Sequence, residues 1–176
     1  MPEHDGKVEI RRAVRSDAEV LARVGSESFR EAYGPHSKAA DLDSHIDQGF
    51  SVSAVRNAFA AGQCAYYLAS VAGEPAGMAK VRMAQCPLPG GDANALELQQ
   101  LYVLAGMRRH GLGRRLMSQV VDHAQASAAA GVWLSAWEFA DWAVRFYTSV
   151  GFTTIGKVEF KLGSTDYTDL LMWRPL

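Results

Sequence analysis

Apolar and polar residues recur along this chain with two periods, near 2 and near 3.6, and the switches between them mark its elements. Val8 to Ala13 reads as a short strand. Ser16-Asp17-Ala18-Glu19 has capping-box spacing and predicts a helix carrying Val20, Leu21, Val24 and Phe29, which Gly34-Pro35 ends. Residues 38 to 61 predict one or two further helices, with Leu42, Ile46, Phe50, Val55 and Phe59 as apolar positions. Ala65 to Val71, the turn Gly73-Glu74-Pro75 and Ala76 to Ala84 form a hairpin pattern, and a Pro/Gly-rich loop runs from Cys86 to Asp92. Ala95 to Leu104 is a strand. Leu112 to Ala130 is a helix with Leu112, Leu116, Val120 and Ala124 on one face, and Val132 to Ala136 is again a strand. A short helix spans Ala140 to Val150 and stops at Gly151. A last hairpin, Phe152 to Leu162 with Asp166 to Trp173, turns at Gly163-Ser164-Thr165. The strand–helix–strand unit between Leu96 and Ala136 predicts one parallel crossover in an otherwise antiparallel sheet, an α/β (α+β) arrangement.

Composition narrows the picture only slightly. The 176 residues suit one domain over 1–176, with a core that needs neither disulfide nor metal. At 48% hydrophobic and 21% charged the chain is ordinary for a globular protein. A net charge of −1 argues against global steering to nucleic acid. Two cysteines, Cys64 and Cys86, make no disulfide framework and fit a reducing cytoplasm. The first residues carry no apolar signal region, and no run is long enough to span a membrane.

The densest chemistry lies in Arg108-Arg109-His110-Gly111-Leu112-Gly113-Arg114-Arg115, a basic glycine-bearing turn that opens a helix. Glycines let backbone amides approach an anion, and the helix N-terminus favours negative charge. The spacing lacks the Gly-Lys-Ser/Thr ending of a P-loop and the first glycine of a dinucleotide fingerprint. As a bare pattern, a ligand-free basic turn is an equal reading.

The flanking segments change the balance. The strand Glu97-Leu98-Gln99-Gln100-Leu101-Tyr102-Val103 precedes the turn, and Ala143-Val144-Arg145-Phe146-Tyr147-Thr148-Ser149-Val150-Gly151-Phe152 follows downstream. Together these residues resemble the GNAT superfamily of acyl-CoA-dependent N-acyltransferases. The strand, the Arg-x-x-Gly-x-Gly turn and its helix resemble that family's acyl-CoA motif. Ala143 to Phe152 resembles its Ala-x-x-Phe-Tyr-x-x-x-Gly-Phe helix end. Within the superfamily, Phe29-Arg30-Glu31-Ala32-Tyr33-Gly34, Ala136-Trp137-Glu138 and Leu170-Leu171-Met172-Trp173 look most like the PaiA-like bacterial polyamine acetyltransferases.

The resemblance implies a mixed, mostly antiparallel sheet of six to seven strands flanked by helices. It implies acetyl-CoA as cosubstrate, no metal, and direct transfer to a primary amine, such as a polyamine. Leu101, Tyr102 and Val103 would hold the pantetheine arm, with an amide there polarising the thioester carbonyl. Arg108, Arg109, His110, Gly111, Leu112, Gly113 and Arg114 would hold the phosphates, while Arg115 points to solvent. Tyr147 matches the family's proton donor to the departing thiolate. Where the family often has an asparagine, this chain has Ala140, so that cofactor contact is absent or supplied otherwise.

The acceptor amine must be neutral to attack. A lysine-like amine with pKa about 10.4 carries a deficit of roughly 4–5 kcal/mol at pH 7. Glu97 is the first candidate base, because its four-residue offset from Leu101 puts both side chains on one strand face. A solvated strand glutamate is the competing reading. Cys64 reads as core, while Cys86 beside Pro87 could be exposed. His36 and His45 have no metal spacing. Trp137 and Glu138 are expected at the acceptor. The acids Glu27, Glu31, Asp41, Asp43 and Asp47 give residues 25–62 a slight acidic bias suited to a cationic acceptor, or are plain solvated helix faces. A protein, peptide or amino-acid acceptor and a non-catalytic acyl-CoA-binding module remain alternatives, and a homodimer is left open.

Overall fold

The computed structural model describes residues 6–88 and 91–176, with the Arg109 side chain also outside the described set. Strands β1 (Val8–Arg12), β2 (Ala65–Val71), β3 (Glu74–Met83), β4 (Leu96–Val103), β5 (Gly131–Trp137), β6 (Thr153–Leu162) and β7 (Thr165–Pro175) form one sheet, ordered β1-β2-β3-β4-β5-β7-β6. Every neighbouring pair is antiparallel except β4 with β5. The helices are α1 (Ala18–Tyr33), α2 (Ala39–Gly49), α3 (Val52–Ala61), α4 (Leu112–Ala126) and α5 (Asp141–Ser149).

Helix α4 buries Leu112, Leu116, Val120 and Ala124 against Ala79, Val81, Leu96, Leu98 and Val132 on one sheet face. On the other face α1 and α3 bury Leu21, Val24 and Val55 against Tyr66, Leu68 and Met78. Truncating a leucine in either layer to alanine costs about 2–5 kcal/mol. Helix α2 joins the second face through Leu42 and Ile46, which pack with Phe29, Phe50 and Leu162. Among the described residues no helix is long and apolar enough to cross a membrane.

Several local expectations shift. The cap of the first helix is not the Ser16–Glu19 box. The chain enters through a 3-10 turn, Arg15–Asp17, where the Asp17 carboxylate accepts the Val14 N–H at 2.7 Å and two Arg11 N–H groups at 2.8 and 2.7 Å. Glu19 accepts from Arg56 instead. Helix α4 stops at Ala126, four residues early, because Asn94 claims the chain beyond it. The Asn94 side-chain amide donates to the Ala128 carbonyl at 2.6 Å, and the Asn94 backbone carbonyl accepts the Ala130 N–H at 2.8 Å. Cys86 is 3% exposed, packed with Ala95, Trp133 and Leu171, so it is core rather than surface.

Two departures from ideal strand geometry matter for function. The β3–β4 register runs Val81↔Leu98 and then Lys80↔Gln100, so Gln99 is an extra residue in β4. A bulge reverses the alternation beyond it. Leu96, Leu98, Leu101 and Val103 therefore share the α4 face, while Glu97 and Tyr102 face the other way. The expectation that Glu97 and Leu101 share a face is overturned for this reason. The second departure is that β4 and β5 pair only at Leu96↔Val132 and Glu97↔Trp133. Beyond these residues the two strands part, and the edges that face each other across the gap lack that parallel ladder.

The β6–β7 hairpin reaches across to α2, where Asp41 fastens its turn. The carboxylate accepts the Ser164 N–H at 3.0 Å, the Ser164 hydroxyl at 3.2 Å and the Thr165 hydroxyl at 2.9 Å. A Cβ on Gly163 would collide with the same carboxylate, and the φ of +58° there suits glycine. Asp41 is thus a latch, not an acceptor ligand.

Candidate active site

The gap between β4 and β5 opens into two connected chambers that meet at Tyr33, Gln99, Tyr102 and Ser135. The first, about 380 Å³, lies between the parted strands and the ends of α4 and α5. Leu101 and Val103 line it from β4, and Tyr147 and Phe146 from α5. Leu101 and Val103 pair with Ala79 and Gly77 of β3 on one edge, and the opposite edge faces the gap. An extended amide-bearing chain can add there like a strand.

The basic turn closes the far end of this chamber. Gly111 sits at φ +68°, a left-handed conformation that disfavours a side chain, and its α-carbon faces open space. The first α4 bond runs from the Arg115 N–H to the Gly111 carbonyl at 3.1 Å, so the N–H groups of Leu112, Gly113 and Arg114 precede any intrahelical acceptor. Gly113 lies so close to the Phe146 ring that a Cβ would sit 3.2 Å from it, which ties α4 to α5. Arg108 and Arg114 reach the chamber rim, and Arg114 also donates to the Ser149 hydroxyl at 3.1 Å. This arrangement fits a pyrophosphate: amides at a helix start, guanidinium groups beside them and no Cβ in the way.

Not every predicted residue reaches this chamber. The Leu112 side chain is fully buried in the core, so only its amide is available. His110 is outside the lining and has its Nδ1 within 3.3 Å of the Met107 carbonyl. Arg115 is exposed, and the Arg109 side chain lies outside the described residues. Ala140, at the position where asparagine was expected, is fully buried and caps α5 through its carbonyl.

Tyr147 is wedged between Phe146 and Phe152, with ring centroids 5.4 and 5.8 Å away. Burial, reinforced by Tyr33 nearby, pushes its phenol well above the ordinary range, so it is fully protonated at neutral pH. The Tyr33 phenol is likewise pushed up to about 12 by burial, with Asp169 adding to the shift.

The second chamber, about 340 Å³, lies on the opposite sheet face under α1 and α2. Aromatic rings form most of its wall. Trp137 stands perpendicular to Tyr167 at 5.8 Å and 6.3 Å from Tyr33. His45 stacks on Phe29 at 4.7 Å, and burial holds its imidazole below the ordinary range. Glu97 lines this chamber, but its carboxylate is engaged by Arg82 Nε at 2.5 Å, with the glutamate side chain 15% exposed. Lys80 borders it with its ammonium 5.5 Å from the Tyr66 ring centre.

One residue of this chamber escaped the sequence reading. Asp169 on β7 is 5% exposed, lines the chamber, and has a buried Oδ1 with no hydrogen-bond partner. Burial raises its carboxyl above the ordinary range, and the Ser135 hydroxyl partly opposes that. A signal was present: Tyr167, Asp169, Leu171 and Trp173 alternate along one strand face, and an acid there breaks an apolar row.

The acids expected at the acceptor are elsewhere. Glu27 pairs with Arg23, Asp43 with Arg30, and Glu31 accepts the Ala105 N–H at 2.8 Å. Asp47 does not line the chamber. Trp137 is in the wall as anticipated, whereas Glu138 pairs with Lys157 at 2.7 Å. No cluster of potential metal ligands occurs among the described residues.

Known proteins share this architecture. A PaiA N-acetyltransferase from Thermoplasma acidophilum, in complex with coenzyme A, superposes with a TM-score of 0.79 at 18% identity, covering 97% of this chain and 99% of that one. YncA of Salmonella typhimurium, with acetyl-CoA, gives 0.68 at 18% identity over 97% and 94%. An uncharacterised N-acetyltransferase of Mycobacterium tuberculosis is 30% identical over 161 residues, 92% of this chain and 99% of its own. The acetyltransferase (GNAT) family profile matches residues 26–152, a span from mid-α1 through α5 that takes in the parted strands, the basic turn and Tyr147. With that span and that relative in agreement, the chain belongs to the GNAT family and is an acetyl-CoA-dependent N-acetyltransferase.

Proposed function

We propose that this protein transfers acetyl from acetyl-CoA directly to a small cationic primary amine, a polyamine being the model acceptor. The observation that carries the reading is the second chamber: aromatic-walled, continuous with the first at Tyr102 and Ser135, and holding a buried carboxylate with a free oxygen. Aromatic faces and a desolvated carboxylate both favour a cation. The Thermoplasma relative, a PaiA acetyltransferase, fits the same branch.

In this reading the backbone of Leu101, Tyr102 and Val103 binds the pantetheine arm, and an amide there polarises the thioester carbonyl. Amides of 109–114 and the Arg108 and Arg114 side chains hold the phosphates. The thioester supplies an activated acetyl group. Tyr147 donates to the departing sulfur; burial that raises the phenol also raises the basicity of a thiolate beside it, which keeps the two matched. Glu97 remains a candidate base, though acting as one requires it to give up or share Arg82.

A thiol-release screen with acetyl-CoA tests the acceptor class. Spermidine-like amines should turn over, with KM rising as salt screens the attraction. Strong activity on acidic amino acids with none on cationic amines overturns the reading.

A further inference from the structure

We propose that Asp169 is the carboxylate that receives the acceptor's ammonium and takes its proton before attack. The assignment rests on the amine-acetylation reading above and adds the residue that makes the nucleophile.

Three observations converge on it. Asp169 is nine-tenths buried yet lines the acceptor chamber, and its Oδ1 has no partner among the described residues. It pairs with Trp137 in the β5–β7 register, two positions from Ser135, which lines both chambers. The free oxygen is therefore near the place where acceptor and thioester meet. The other carboxylate of the chamber, Glu97, is already neutralised by Arg82.

Among the described residues no cation pairs with Asp169. The titratable groups toward it are Tyr33 of α1, His45 of α2, Tyr102 of β4 and Tyr167 of β7; burial raises the Tyr33 and Tyr102 phenols and lowers the His45 imidazole, which keeps those three uncharged at neutral pH. The lysine of the chamber, Lys80, is on β3, three strands away in the sheet order, with its ammonium 5.5 Å from the Tyr66 ring centre. A lone buried carboxylate among phenols is poised to pair with an ammonium and, being raised by burial, to accept a proton from it.

The step balances as follows. The ammonium gives one proton to Asp169 and becomes a neutral amine. Its lone pair attacks the thioester carbonyl carbon, a C–N bond forms, and the C–S bond breaks with its electron pair leaving on sulfur. Tyr147 protonates the sulfur and is restored by the second proton released from nitrogen. Asp169 returns its proton to solvent.

The pH dependence of kcat/KM with spermidine tests this for wild type, Asp169→Asn and Glu97→Gln, with acetyl-CoA affinity and thermal melting as controls. The wild type should be flat across neutral pH, because the bound ammonium is deprotonated inside the site. Asp169→Asn should lose ~100-fold at pH 7, in the range of a lost general base. Its rate should then climb about tenfold per pH unit toward the amine pKa of about 10, where free neutral amine becomes available. Glu97→Gln also releases Arg82 into the chamber and so can lower the rate, but its profile should stay flat. A pH-independent loss in Asp169→Asn overturns the proton step, as does the steep profile appearing in Glu97→Gln instead. Should Asp169→Asn fail to fold, Asp169→Glu keeps the carboxylate. It is expected to retain a flat profile at reduced rate, and a steep one overturns the proposal. Wild-type protein that binds acetyl-CoA but releases no thiol with any cationic amine refutes the amine reading itself, and this assignment with it.

Discussion

The two chambers share Tyr102, but they are walled in different ways. The cofactor chamber offers main chain where its ligand would bind: the free edge of β4 and the amides that open α4, with Phe146 and Tyr147 facing them. The acceptor chamber is walled chiefly by large polar and aromatic residues drawn from α1, α2, β3, β4, β5, β6 and β7. A wall of amides is insensitive to most substitutions, since any residue supplies an N–H and only the backbone path must be kept. A wall of rings and one carboxylate changes with each residue exchanged. The first chamber is thus suited to an invariant ligand, and the second to a ligand that differs from relative to relative.

That contrast predicts where single changes act. The largest effect belongs to Gly111→Asp, which puts a side chain and a negative charge on the phosphate cradle. At about 4 Å and an effective dielectric of 20, like charges cost about 4 kcal/mol, or ~1000-fold in acetyl-CoA affinity. Calorimetry should show that loss, with melting lowered only by the ~1 kcal/mol that a side chain costs at this left-handed position, and unaltered affinity would place the phosphates elsewhere. Next comes Tyr147→Phe, which keeps the ring and removes the hydroxyl. Single-turnover acetyl transfer should slow by about 100-fold while acetyl-CoA affinity holds. A wild-type rate would show that the sulfur departs without help from this phenol.

Trp137→Ala acts on the other wall only. Losing one aromatic face of about 1 kcal/mol, plus packing, should raise KM for a cationic amine roughly five- to tenfold. Acetyl-CoA affinity should not move, and a parallel drop would show that the chambers are not separable. The smallest effect is expected at Asp41→Ala. It frees the hairpin turn and should lower the melting temperature without touching cofactor affinity. Hydrogen bonds from the Ser164 amide and the Thr165 and Ser164 hydroxyls hold the Asp41 carboxyl below the usual range. Its contribution is therefore present above the unfolded pKa of about 3.9 and fades as pH falls through the folded value. The melting gap between wild type and variant should close in acid, and a gap that persists there would deny the latch its charge.

The same contrast explains what could be read from the chain. Residues 101–103, 108–114 and 143–147 stand in short runs, so their spacing survives as a motif, and the run of strands and helices with one parallel crossover followed from hydrophobic period and chain order. The acceptor wall has no such run. Phe29, His45, Trp137 and Asp169 are strangers in sequence, joined only by the packing of α1 and α2 on the sheet. Acids near one another on helices were an attractive substitute, but Asp43, Glu27 and Glu31 found partners on neighbouring turns and loops. Glu97 was located correctly in the strand and assigned the wrong facing, because Gln99-Gln100 gives no outward sign that the strand slips by one there.

That slip lets one strand carry two independent alphabets. Ahead of Gln99 the residues at 96 and 98 face α4, while 97 addresses the acceptor. Past it, 101 and 103 address the cofactor and 102 the acceptor. Variation at 97 can rewrite one vocabulary without disturbing the other, whereas 102 belongs to both. Were the strand to run through Gln99 without the bulge, the two would fall out of phase, turning Tyr102 toward α4 and Leu101 toward the amine; deleting Gln99 would instead leave a regular strand that keeps both facings.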